Sequence, residues 1–540
     1  ACPVGQDIPR IEMLASRGQL KDAWQTILDE NPFPAVCGRV CFHPCESVCN
    51  RANMDEAIAI HHLERFLGDS AITGQTRADS DIKAPTGQKV AIAGAGPAGL
   101  SAAYFLARLG YGCDVFEAAP EPGGLLRWGI PAYRLPRDIL DYEIKRIENA
   151  GVRIHCESSV TDRLLEKLKK DYDGLFIGCG YGRARILAIE GEEFAADGLK
   201  FLNRLSGGEK TSYFGTAAIV GGGNTAIDVA RSLARLGAEP LIVYRRRIQD
   251  MPAFEPEVAM AAKEGVAIME LVTPIRIRET AGDSSSSPPG YELTLHKMKV
   301  SQKDICGRAR VIPDGDNTET LTVQNIFVAI GADAETPWQL PDSEETRSLT
   351  LSHCRLLDQK IPLTYGGDLT SPIKSVSDAI ASGKQAAMAL DTYFQHGMAA
   401  IEKRLASCRV GAGPALSMDI YLGKDRKNRT VHIVGYDDIV TDYFQSAARK
   451  VAPTLDAGQR IKSFTEIELT LESKIAREEA TRCFNCGICA SCDYCRLFCP
   501  EMAVTVEKDR RSINMDFCKG CGVCATECPR NAMVLEEEIK

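Results

Sequence analysis

The sequence predicts a multidomain α/β protein, and three observations support that class. Two glycine-rich turns, at residues 94–99 and 221–226, each follow a short apolar run and open a helical segment. Such strand–turn–helix units build nucleotide-binding parallel sheets. Of the 21 cysteines, five precede residue 50 and ten lie between Cys483 and Cys528, so both ends of the chain differ from the middle. At about 150 residues per domain, 540 residues allow three or four domains.

Composition and charge argue against several classes of partner. Hydrophobic residues make up 44% of the chain and charged residues 25%, and the net charge is −9. This mild negative charge gives no electrostatic basis for binding nucleic acid or an anionic membrane. No apolar run approaches the ~20 residues that span a bilayer, and no signal-peptide pattern opens the chain. Clustered cysteines in such a chain are typical of metal ligands in a reducing compartment, which predicts a cytoplasmic protein.

The first glycine-rich turn follows the apolar strand 90–93 with the G-x-G-x-x-G spacing of a dinucleotide site. Its first glycine permits the tight turn, the second lets the backbone approach a pyrophosphate, and the third allows close helix packing. The next strand ends in an acid, as expected for a ribose hydroxyl ligand, and a purely structural glycine turn is the alternative. The predicted contacts are Gly94, Gly96, Pro97, Ala98, Gly99 and Glu117.

Two further features suit the same nucleotide. The double-glycine turn at Gly124 and Leu125, with Gly129 four residues later, lets the backbone approach a bound ring system. Asp368 follows two glycines and precedes a helix, where its carboxylate can accept a hydrogen bond from a sugar or ribityl hydroxyl.

The second glycine-rich turn follows the strand 217–220 with G-x-G-x-x-A spacing. The next strand ends in three arginines, where NAD-binding folds carry an acid. Arginine favours the 2′-phosphate of NADP, so NADP(H) is predicted, with NAD(H) and a solvated basic cluster as alternatives. The predicted contacts are Gly221, Gly223, Asn224, Thr225, Ala226, Arg245 and Arg246.

Two complete dinucleotide motifs on one chain suggest that the first holds FAD and that the second brings a nicotinamide nucleotide to it. Further buried strands after the second motif predict two Rossmann-like domains of the glutathione-reductase type, the NAD(P)H domain being inserted into the FAD domain. The predicted domains are a helical iron–sulfur domain at 1–80, an FAD domain at 81–210 and 326–398, an NAD(P)H domain at 211–325, a connector at 399–475 and an α+β ferredoxin-like domain at 476–540.

The C-terminal cysteines have the spacing of a bacterial two-cluster ferredoxin, in which the fourth cysteine of each run ligates the other cluster. A zinc site would use two C-x2-C pairs rather than two runs that end in Cys-Pro. Cys483 and Cys486 remain outside the two runs and are interpreted as structural thiols, with partial ligation of a further cluster as the alternative. Segment 466–482 before them predicts a charged helix. The predicted sets are Cys489, Cys492, Cys495 and Cys528 for one 4Fe–4S cluster, and Cys518, Cys521, Cys524 and Cys499 for the other.

The N-terminal cysteines lie among segments whose amphipathic spacing, over 11–28 and 57–67, predicts helices. Cys2 precedes a proline, and four further cysteines lie between Cys37 and Cys49. Thiolates at such spacing can surround an iron–sulfur cluster, and a zinc site or free thiols are the alternatives.

Four motifs resemble the small (beta) subunit of bacterial glutamate synthase and its relatives. Those relatives include the flavin half of dihydropyrimidine dehydrogenase and of the NADH-dependent ferredoxin:NADP oxidoreductases. The tail is similar to versions fused to a two-cluster ferredoxin, which serve as electron-transfer subunits of complexes such as 2-oxoacid oxidoreductases. The resemblance covers about residues 1–395 and is carried by the motifs at 2–9, 37–41, 123–131 and 221–228.

The resemblance implies an N-terminal 4Fe–4S cluster ligated by Cys2, Cys41, Cys45 and Glu64. A second cluster of that family takes three cysteines upstream of the Cys-Pro pair together with the position of Cys49. This sequence has no cysteine before Cys2. We therefore expect one N-terminal cluster, with Cys37 and Cys49 as thiols; the alternative is that residues preceding this sequence carry the second.

The expected function is exchange of hydride between NADP(H) and FAD and of single electrons between FAD and 4Fe–4S clusters. A partner catalytic subunit or a ferredoxin would exchange those electrons, and no catalytic acid, base or nucleophile is required. One alternative is a glutamate synthase small subunit proper, against which the ferredoxin-like tail argues. Another is electron bifurcation at the flavin, which depends on flavin potentials.

Overall fold

The computed structural model describes residues 2–74, 82–280, 290–303, 309–334, 354–357, 360–371, 373–424, 426, 433–507 and 510–535. Within those ranges, every helix is too short or too polar to cross a bilayer.

The described segments form helices and strands along the whole chain. The helices are α1 (Ile8–Ser16), α2 (Leu20–Leu28), α3 (Pro34–Val40), α4 (Ile60–Ile72), α5 (Pro97–Arg108), α6 (Leu125–Trp128), α7 (Arg137–Asn149), α8 (Asp162–Asp171), α9 (Gly198–Ser206), α10 (Asn224–Arg235), α11 (Glu255–Lys263), α12 (Val376–His396), α13 (Ile401–Ala406), α14 (Met418–Tyr421), α15 (Ala457–Arg460), α16 (Ser473–Thr481), α17 (Tyr494–Leu497) and α18 (Val523–Thr526). The strands are β1 (Lys89–Ala93), β2 (Gly112–Phe116), β3 (Arg153–His155), β4 (Gly174–Ile177), β5 (Arg183–Ala184), β6 (Ala196–Asp197), β7 (Thr216–Val220), β8 (Glu239–Tyr244), β9 (Ala267–Glu270), β10 (Val272–Thr280), β11 (Gly290–Lys303), β12 (Ala309–Val323), β13 (Asn325–Val328), β14 (Ala332–Asp333), β15 (Arg355–Leu357), β16 (Ile361–Tyr365), β17 (Val504–Glu507) and β18 (Arg510–Ile513).

The first nucleotide turn belongs to a six-stranded sheet with the order β15-β16-β4-β1-β2-β3. All its pairs are parallel except β15 with β16. The apolar residues of β1 are buried, as expected for a parallel strand covered on both faces. Helix α12 packs against α5 at Gly383, where a Cβ would lie 2.1 Å from the carbonyl oxygen of Ala98.

The second nucleotide turn belongs to a parallel sheet with the order β6-β13-β7-β8-β9. A three-stranded antiparallel sheet, β10-β11-β12, follows it. Both sheets lie in the chain between β4 and β15 of the first sheet, so the second nucleotide unit is inserted into the first, as the sequence predicted. The inserted sheet extends beyond the segment 211–325 that the sequence predicted. Strand β6 lies before residue 211, strand β13 runs past residue 325, and both pair within this sheet.

The two ends of the chain meet in one helical layer. The amphipathic stretch 11–28 forms two helices rather than one, because Gly18, with a φ of +74°, turns the chain between α1 and α2. Helix α16 packs on α1, and its Ala476 and Ala480 share an apolar core with Trp24.

The prediction of a helix over 466–482 is wrong for its first part, since only Ser473–Thr481 is helical. Residues 466–468 are extended instead. The Glu466 carboxylate accepts a hydrogen bond from Arg39 at 2.7 Å, and the Ile467 N–H donates to the Tyr133 carbonyl at 3.1 Å. These long-range contacts replace the local hydrogen bonds that a helix would need.

The C-terminal segment folds as a small α+β unit. Strands β17 and β18 form an antiparallel hairpin between the short helices α17 and α18. The two short helices contact each other, and each contains the third cysteine of one run, Cys495 in α17 and Cys524 in α18.

Candidate functional site

The first glycine-rich turn lies at the carboxyl end of β1 and leads into α5. Gly94 has a φ of +99°, a conformation that glycine adopts without strain. A Cβ at Gly99 would lie 1.9 Å from the Gly94 carbonyl oxygen, so only glycine lets the helix come this close. Gly96 is the N-cap of α5 and Pro97 its first residue. The unpaired N–H groups of the helix therefore point to where an anion would bind.

A second glycine loop contacts the first. Gly124 has a φ of +54°, and a Cβ on it would lie 2.8 Å from the Cα of Gly96. The Gly123 N–H donates to the Ala95 carbonyl at 2.8 Å. A Cβ on Gly96 would enter open space. Among the described residues other than its chain neighbours, the nearest atom to it would be the Cα of Gly124, 3.9 Å away. This open, backbone-lined space fits a dinucleotide pyrophosphate.

The short helix α6 begins at this glycine loop and presents an apolar side chain. Leu125, its first residue, is 42% exposed. Gly129 ends the helix, and a Cβ there would lie 3.0 Å from the Leu125 Cδ2. Leu125 and Gly129 thus offer an apolar surface beside the cradle, as a ring system requires.

Glu117 lies directly after β2 at the same sheet edge. Its Oε2 accepts a hydrogen bond from the Ala95 N–H at 2.7 Å, and its Oε1 accepts one from the Ala119 N–H at 2.9 Å. These two bonds hold the carboxylate beside the glycine turn, where the sequence placed the acid for a ribose hydroxyl.

Asp368 reaches the same region from β16, far along the chain. A Cβ on the preceding Gly367 would lie 3.2 Å from the Cβ of Ala98, so this loop lies against the start of α5. Burial raises the pKa of the Asp368 carboxyl, and the positive charge of Lys374 opposes that shift. The structure therefore gathers the predicted FAD contacts at one edge of the first sheet.

The second glycine-rich turn repeats this geometry at the end of β7. Gly221 has a φ of +143°, and a Cβ there would lie 2.3 Å from the Ala329 carbonyl oxygen. Gly223 is the N-cap of α10, and within the described part of the chain a Cβ on it would meet no atom within 4 Å apart from its chain neighbours. This second cradle is open in the same way as the first.

The first turn of α10 is fixed by its own side chains. The Asn224 Oδ1 accepts a hydrogen bond from the Phe254 N–H at 3.0 Å, which anchors the following loop. Thr225 is half-buried, and Ala226 is fully buried in the core of the inserted domain. Sequence reasoning missed Phe254, because a contact across 30 residues leaves no local signal.

The three arginines after β8 differ in their surroundings. Arg247 pairs with Asp250 at 2.7 Å. Arg245 is exposed and forms no ion pair with any described residue, while Arg246 is half-buried and its carbonyl accepts a hydrogen bond from the Leu271 N–H at 3.2 Å. Arg245 and Arg246 therefore remain the candidates for a 2′-phosphate, and Arg247 is engaged elsewhere.

The predicted N-terminal ligands come together from three segments. Glu64 on α4 is buried, and its Oε1 accepts hydrogen bonds from Gln6 at 2.7 Å and Asn31 at 2.9 Å. Burial raises the pKa of the Glu64 carboxyl to about 7. Gln6 and Asn31 were not predicted, although Gln6 lies within the Cys-Pro motif.

The thiols of Cys2, Cys41 and Cys45 lie near that carboxylate. Burial raises the pKa of the Cys41 thiol to about 12, and the nearby charges of Glu64 and Cys2 add to the rise. Burial also raises the pKa of the Cys45 thiol, and the nearby charges of Cys2 and Cys41 add to that rise. Glu64 is buried and the three cysteines are half-buried. Four such ligands repel one another in the ionised form unless a cationic centre lies between them, so this donor set fits an iron–sulfur cluster.

The remaining N-terminal cysteines have different surroundings. Cys37 is buried, with its Sγ 4.0 Å from the Asn31 Oδ1. Cys49 packs against the apolar core that the N-terminal helices share with the C-terminal segment, and Cys483 packs against the same core.

The first set of tail cysteines surrounds a small cavity in the C-terminal unit. Its cysteines are Cys489, Cys492, Cys495 and Cys528, so the last cysteine of the second run joins three from the first. Burial raises the pKa of the Cys495 thiol to about 11, and the other three cysteines add to the rise.

The second run shows the matching pattern. Burial raises the pKa of the Cys524 thiol, with further contributions from Cys518 and Cys521. The fourth cysteine of each run accepts a hydrogen bond from the N–H four residues later, at 3.3 Å for Cys499 and 3.2 Å for Cys528. The two runs therefore hold their last sulfurs in equivalent environments.

Three family models match successive parts of the chain. Residues 1–76 match dihydropyrimidine dehydrogenase domain II with its 4Fe-4S cluster. Residues 88–300 match pyridine nucleotide-disulphide oxidoreductases, and residues 511–534 match a 4Fe-4S binding domain.

Curated relatives extend the similarity over most of the chain. The β subunit of an NADP(+)-dependent formate dehydrogenase from Moorella thermoacetica is 33% identical over 520 residues, covering 90% of this chain and 69% of the relative. The PreT subunit of an NAD-dependent dihydropyrimidine dehydrogenase from Escherichia coli is 32% identical, covering 73% of this chain and 90% of the relative. The β subunit of an NADPH-Fe(3+) oxidoreductase from Geobacter sulfurreducens is 36% identical over 63% of this chain, which spans about half (51%) of that relative.

Proposed function

We propose a function on one premise: the chain belongs to the family of NAD(P)H-dependent oxidoreductase subunits that carry flavin and iron–sulfur clusters. In our proposal the chain converts the two-electron chemistry of a nicotinamide nucleotide into single-electron transfer toward a partner. When bound, FAD supplies hydride exchange with the nicotinamide, and the 4Fe–4S clusters accept and donate one electron at a time.

The observation that carries this proposal is the pairing of two open glycine cradles in nested domains. Gly96 and Gly223 each cap a helix, and a side chain at either position would enter space that a pyrophosphate needs. Two such cradles on one chain suit one resident dinucleotide and one that exchanges. The cysteine groups at both ends of the chain would hold iron–sulfur clusters, which accept single electrons but no hydride.

In this proposal the chain's residues bind and orient. Glu117 and Asp368 would accept hydrogen bonds from hydroxyl groups of FAD, and Leu125 would pack on its ring system. Arg245 and Arg246 would bind the 2′-phosphate, which supports NADP(H) rather than NAD(H). Cys2, Cys41, Cys45 and Glu64 would hold a cluster next to the FAD domain, and the tail cysteines would hold two more.

The substrate and its subunit are also part of the proposal. The relatives named above are subunits of complexes, and one is the β subunit of an NADP(+)-dependent formate dehydrogenase. We infer that this chain is likewise the nucleotide-facing subunit of a cytoplasmic complex, in which another subunit oxidises or reduces the substrate. The ferredoxin-like unit, with its two cysteine sets near the surface, supports electron exchange with that subunit.

The test is anaerobic titration of the purified holoprotein with NADPH and with NADH. We expect NADPH to bleach the flavin absorbance and then to allow reduction of a one-electron viologen dye. The matched control is Gly223→Ala, which fills the second cradle and leaves the first intact. This variant should retain FAD and lose bleaching by either nucleotide, whereas a wild-type protein that neither nucleotide bleaches would refute the proposal.

A further inference from the structure

Three cysteines from opposite ends of the chain, Cys49, Cys483 and Cys486, meet outside the cysteine sets already described. Cys486 accepts a hydrogen bond at 3.5 Å from the side-chain N–H of Asn50, the residue next to Cys49. Cys483 packs on the same apolar core as Cys49. The Asn485 N–H donates to the Cys483 Sγ at 3.4 Å, and the predicted ligands Cys41 and Cys518 likewise accept a hydrogen bond from the N–H two residues later.

Buried ion pairs fix this meeting of the two segments. Arg51 is 2% exposed and donates to the Arg482 carbonyl at 3.0 Å. The Arg482 guanidinium pairs with Asp55 at 2.9 Å and with Glu479 at 2.7 Å. Arg51 is two residues from Cys49, and Arg482 is next to Cys483 in the sequence. These bonds therefore hold the two cysteine-containing segments against each other.

A buried carboxylate lies at the same place. Glu12 on α1 is 1% exposed, and within the described part of the chain its Oε2 has no hydrogen-bond partner. Burial raises the pKa of the Cys483 thiol, the nearby charges of Glu12, Cys486 and Cys49 add to the rise, and the hydrogen bond from the Asn485 N–H opposes it. A buried carboxylate oxygen without a partner is costly unless a cation or a donor occupies the site.

The spacing argues against a single metal ion. In tetrahedral zinc–thiolate sites the sulfurs lie about 3.8 Å apart, given Zn–S bonds of about 2.3 Å. A single ion could be held by three or more metal-binding side chains whose ligand atoms lie within 4.8 Å of one another. Among the described residues, His61, His62 and Glu468 form such a group, and it contains no cysteine. The cysteines around Cys49 are thus set wider than a mononuclear site, as are those of the other cysteine sets.

We propose that Cys49, Cys483, Cys486 and Glu12 are the ligands of a further 4Fe–4S cluster, which joins the N-terminal domain to the C-terminal segment. This inference rests on the proposed function, because it adds a member to the same set of clusters. It also revises two expectations from the sequence, that Cys49 is a free thiol and that Cys483 and Cys486 are structural.

The position of this site suits a connection between the other clusters. Cys49 is four residues from Cys45, so their Cα atoms are at most about 14 Å apart. Cys486 is three residues from Cys489, which limits that separation to about 11 Å. The site therefore lies directly beside a ligand of the N-terminal set and a ligand of the first tail set.

The test is anaerobic reconstitution of the full chain with ferrous iron and sulfide, followed by iron and acid-labile sulfide analysis. Four clusters predict about sixteen iron atoms per chain, and three predict about twelve. Cys49→Ser and Cys483→Ser, from opposite ends of the chain, should each lose the same four irons and the same EPR signal. The control is Cys156→Ser, at a half-buried cysteine directly after β3 of the first sheet, which should keep the full iron content.

Glu12 is tested separately. Glu12→Ala should lose this cluster or change its EPR spectrum, with the other clusters unaffected. Bleaching of the flavin by NADPH should persist in all these variants, so failure here is distinct from failure of the proposed function. A wild-type content of about twelve irons would overturn the proposal whether or not the variants fold, and so would a Cys483→Ser variant that keeps the full content.

Discussion

Arg134 and Asp228 join the two nucleotide-binding domains. The Arg134 Nη1 donates to both carboxylate oxygens of Asp228, at 3.0 and 2.8 Å. Arg134 lies in the first domain between α6 and α7, and Asp228 lies on α10, the helix that begins at the second cradle. Beside this pair, the Tyr133 ring lies 3.9 Å from the guanidinium carbon of Arg235. The pair therefore fixes the relative position of the two cradles.

We expect Arg134→Ala to destabilise the protein and to slow flavin reduction by NADPH. Removing one partner of a buried ion pair leaves the other charge unpaired, which costs about 3–5 kcal/mol. Chemical denaturation and stopped-flow bleaching would measure the two effects. The double variant R134L/D228L should recover most of the stability but not the rate, since it removes the unpaired Asp228 charge without restoring the alignment. Glu257, which also pairs with Arg134, keeps its ion pair with Arg231. Equal rates in wild-type and Arg134→Ala protein would contradict this role.

Alanine substitutions at Gly96 and Gly99 should have different effects, one on binding of FAD and the other on the stability of the fold. A Cβ at Gly96 meets open space, whereas a Cβ at Gly99 would lie 1.9 Å from the Gly94 carbonyl. Gly96→Ala should therefore keep the free energy of unfolding of the apoprotein and weaken FAD binding at least about tenfold, or about 1.4 kcal/mol. Gly99→Ala should destabilise the apoprotein itself by about 1–3 kcal/mol. Unchanged FAD affinity in Gly96→Ala would count against the first cradle as the FAD site.

The fold was predictable because its signals are local. Each glycine turn combines a strand, a spacing and a helix within about 30 residues, and the nested order follows from where the second motif falls in the chain. The C-x2-C-x2-C-x3-C-Pro runs are equally local, and the structure gathers the first set around one cavity.

The parts that sequence reasoning missed depend on long-range contacts. The charged segment 466–482 predicted a helix, but Arg39, more than 400 residues away, holds Glu466 in an extended segment. The approach of Cys49 to Cys483 has the same origin, since packing of α16 on α1 and the bonds between Arg51, Asp55 and Arg482 bring the two segments together. Neither contact leaves a pattern in any short window of the sequence.

Asp114 on β2 predicts a specific dependence of stability on acid pH. Its carboxylate accepts two hydrogen bonds from Arg153, at 2.8 and 2.6 Å, and lies 2.7 Å from the His155 Nε2. Burial acts to raise the pKa of Asp114, but the bonds from Arg153 and His155 outweigh it and lower the pKa to about 2. An unfolded aspartate has a pKa of about 3.9. The stabilisation is thus complete above about pH 4 and is lost as the pH falls toward 2.

The variant Asp114→Asn should show a smaller loss of stability between about pH 4 and pH 2, as measured by urea denaturation at each pH. Asp171→Asn, at an exposed position, is the matched control and should follow the wild type. An Asp114→Asn profile parallel to that of the wild type would contradict the assignment.

Glu64 predicts a difference between two substitutions at one position. Glu64→Gln keeps an oxygen atom that can ligate iron and can accept the hydrogen bonds from Gln6 and Asn31. This variant should therefore retain the N-terminal cluster. The reduction potential of that cluster should rise, because a neutral ligand replaces an anionic one. Glu64→Ala should lose about four irons per chain. Iron analysis and a redox titration followed by EPR would measure both, and full iron content in Glu64→Ala would exclude Glu64 as a ligand.

Arg245 and Arg246 predict the nucleotide preference. The double variant R245A/R246A removes the cations proposed to bind the 2′-phosphate, and each charge-assisted hydrogen bond contributes about 1.5–3 kcal/mol. We expect kcat/KM for NADPH to fall by at least about tenfold, with little change for NADH, because NADH has no 2′-phosphate. Arg247→Ala is the control, since Arg247 is engaged by Asp250 at 2.7 Å and should not affect selectivity. An equal loss with both nucleotides in the double variant would show that these arginines support the fold of the loop rather than select NADP.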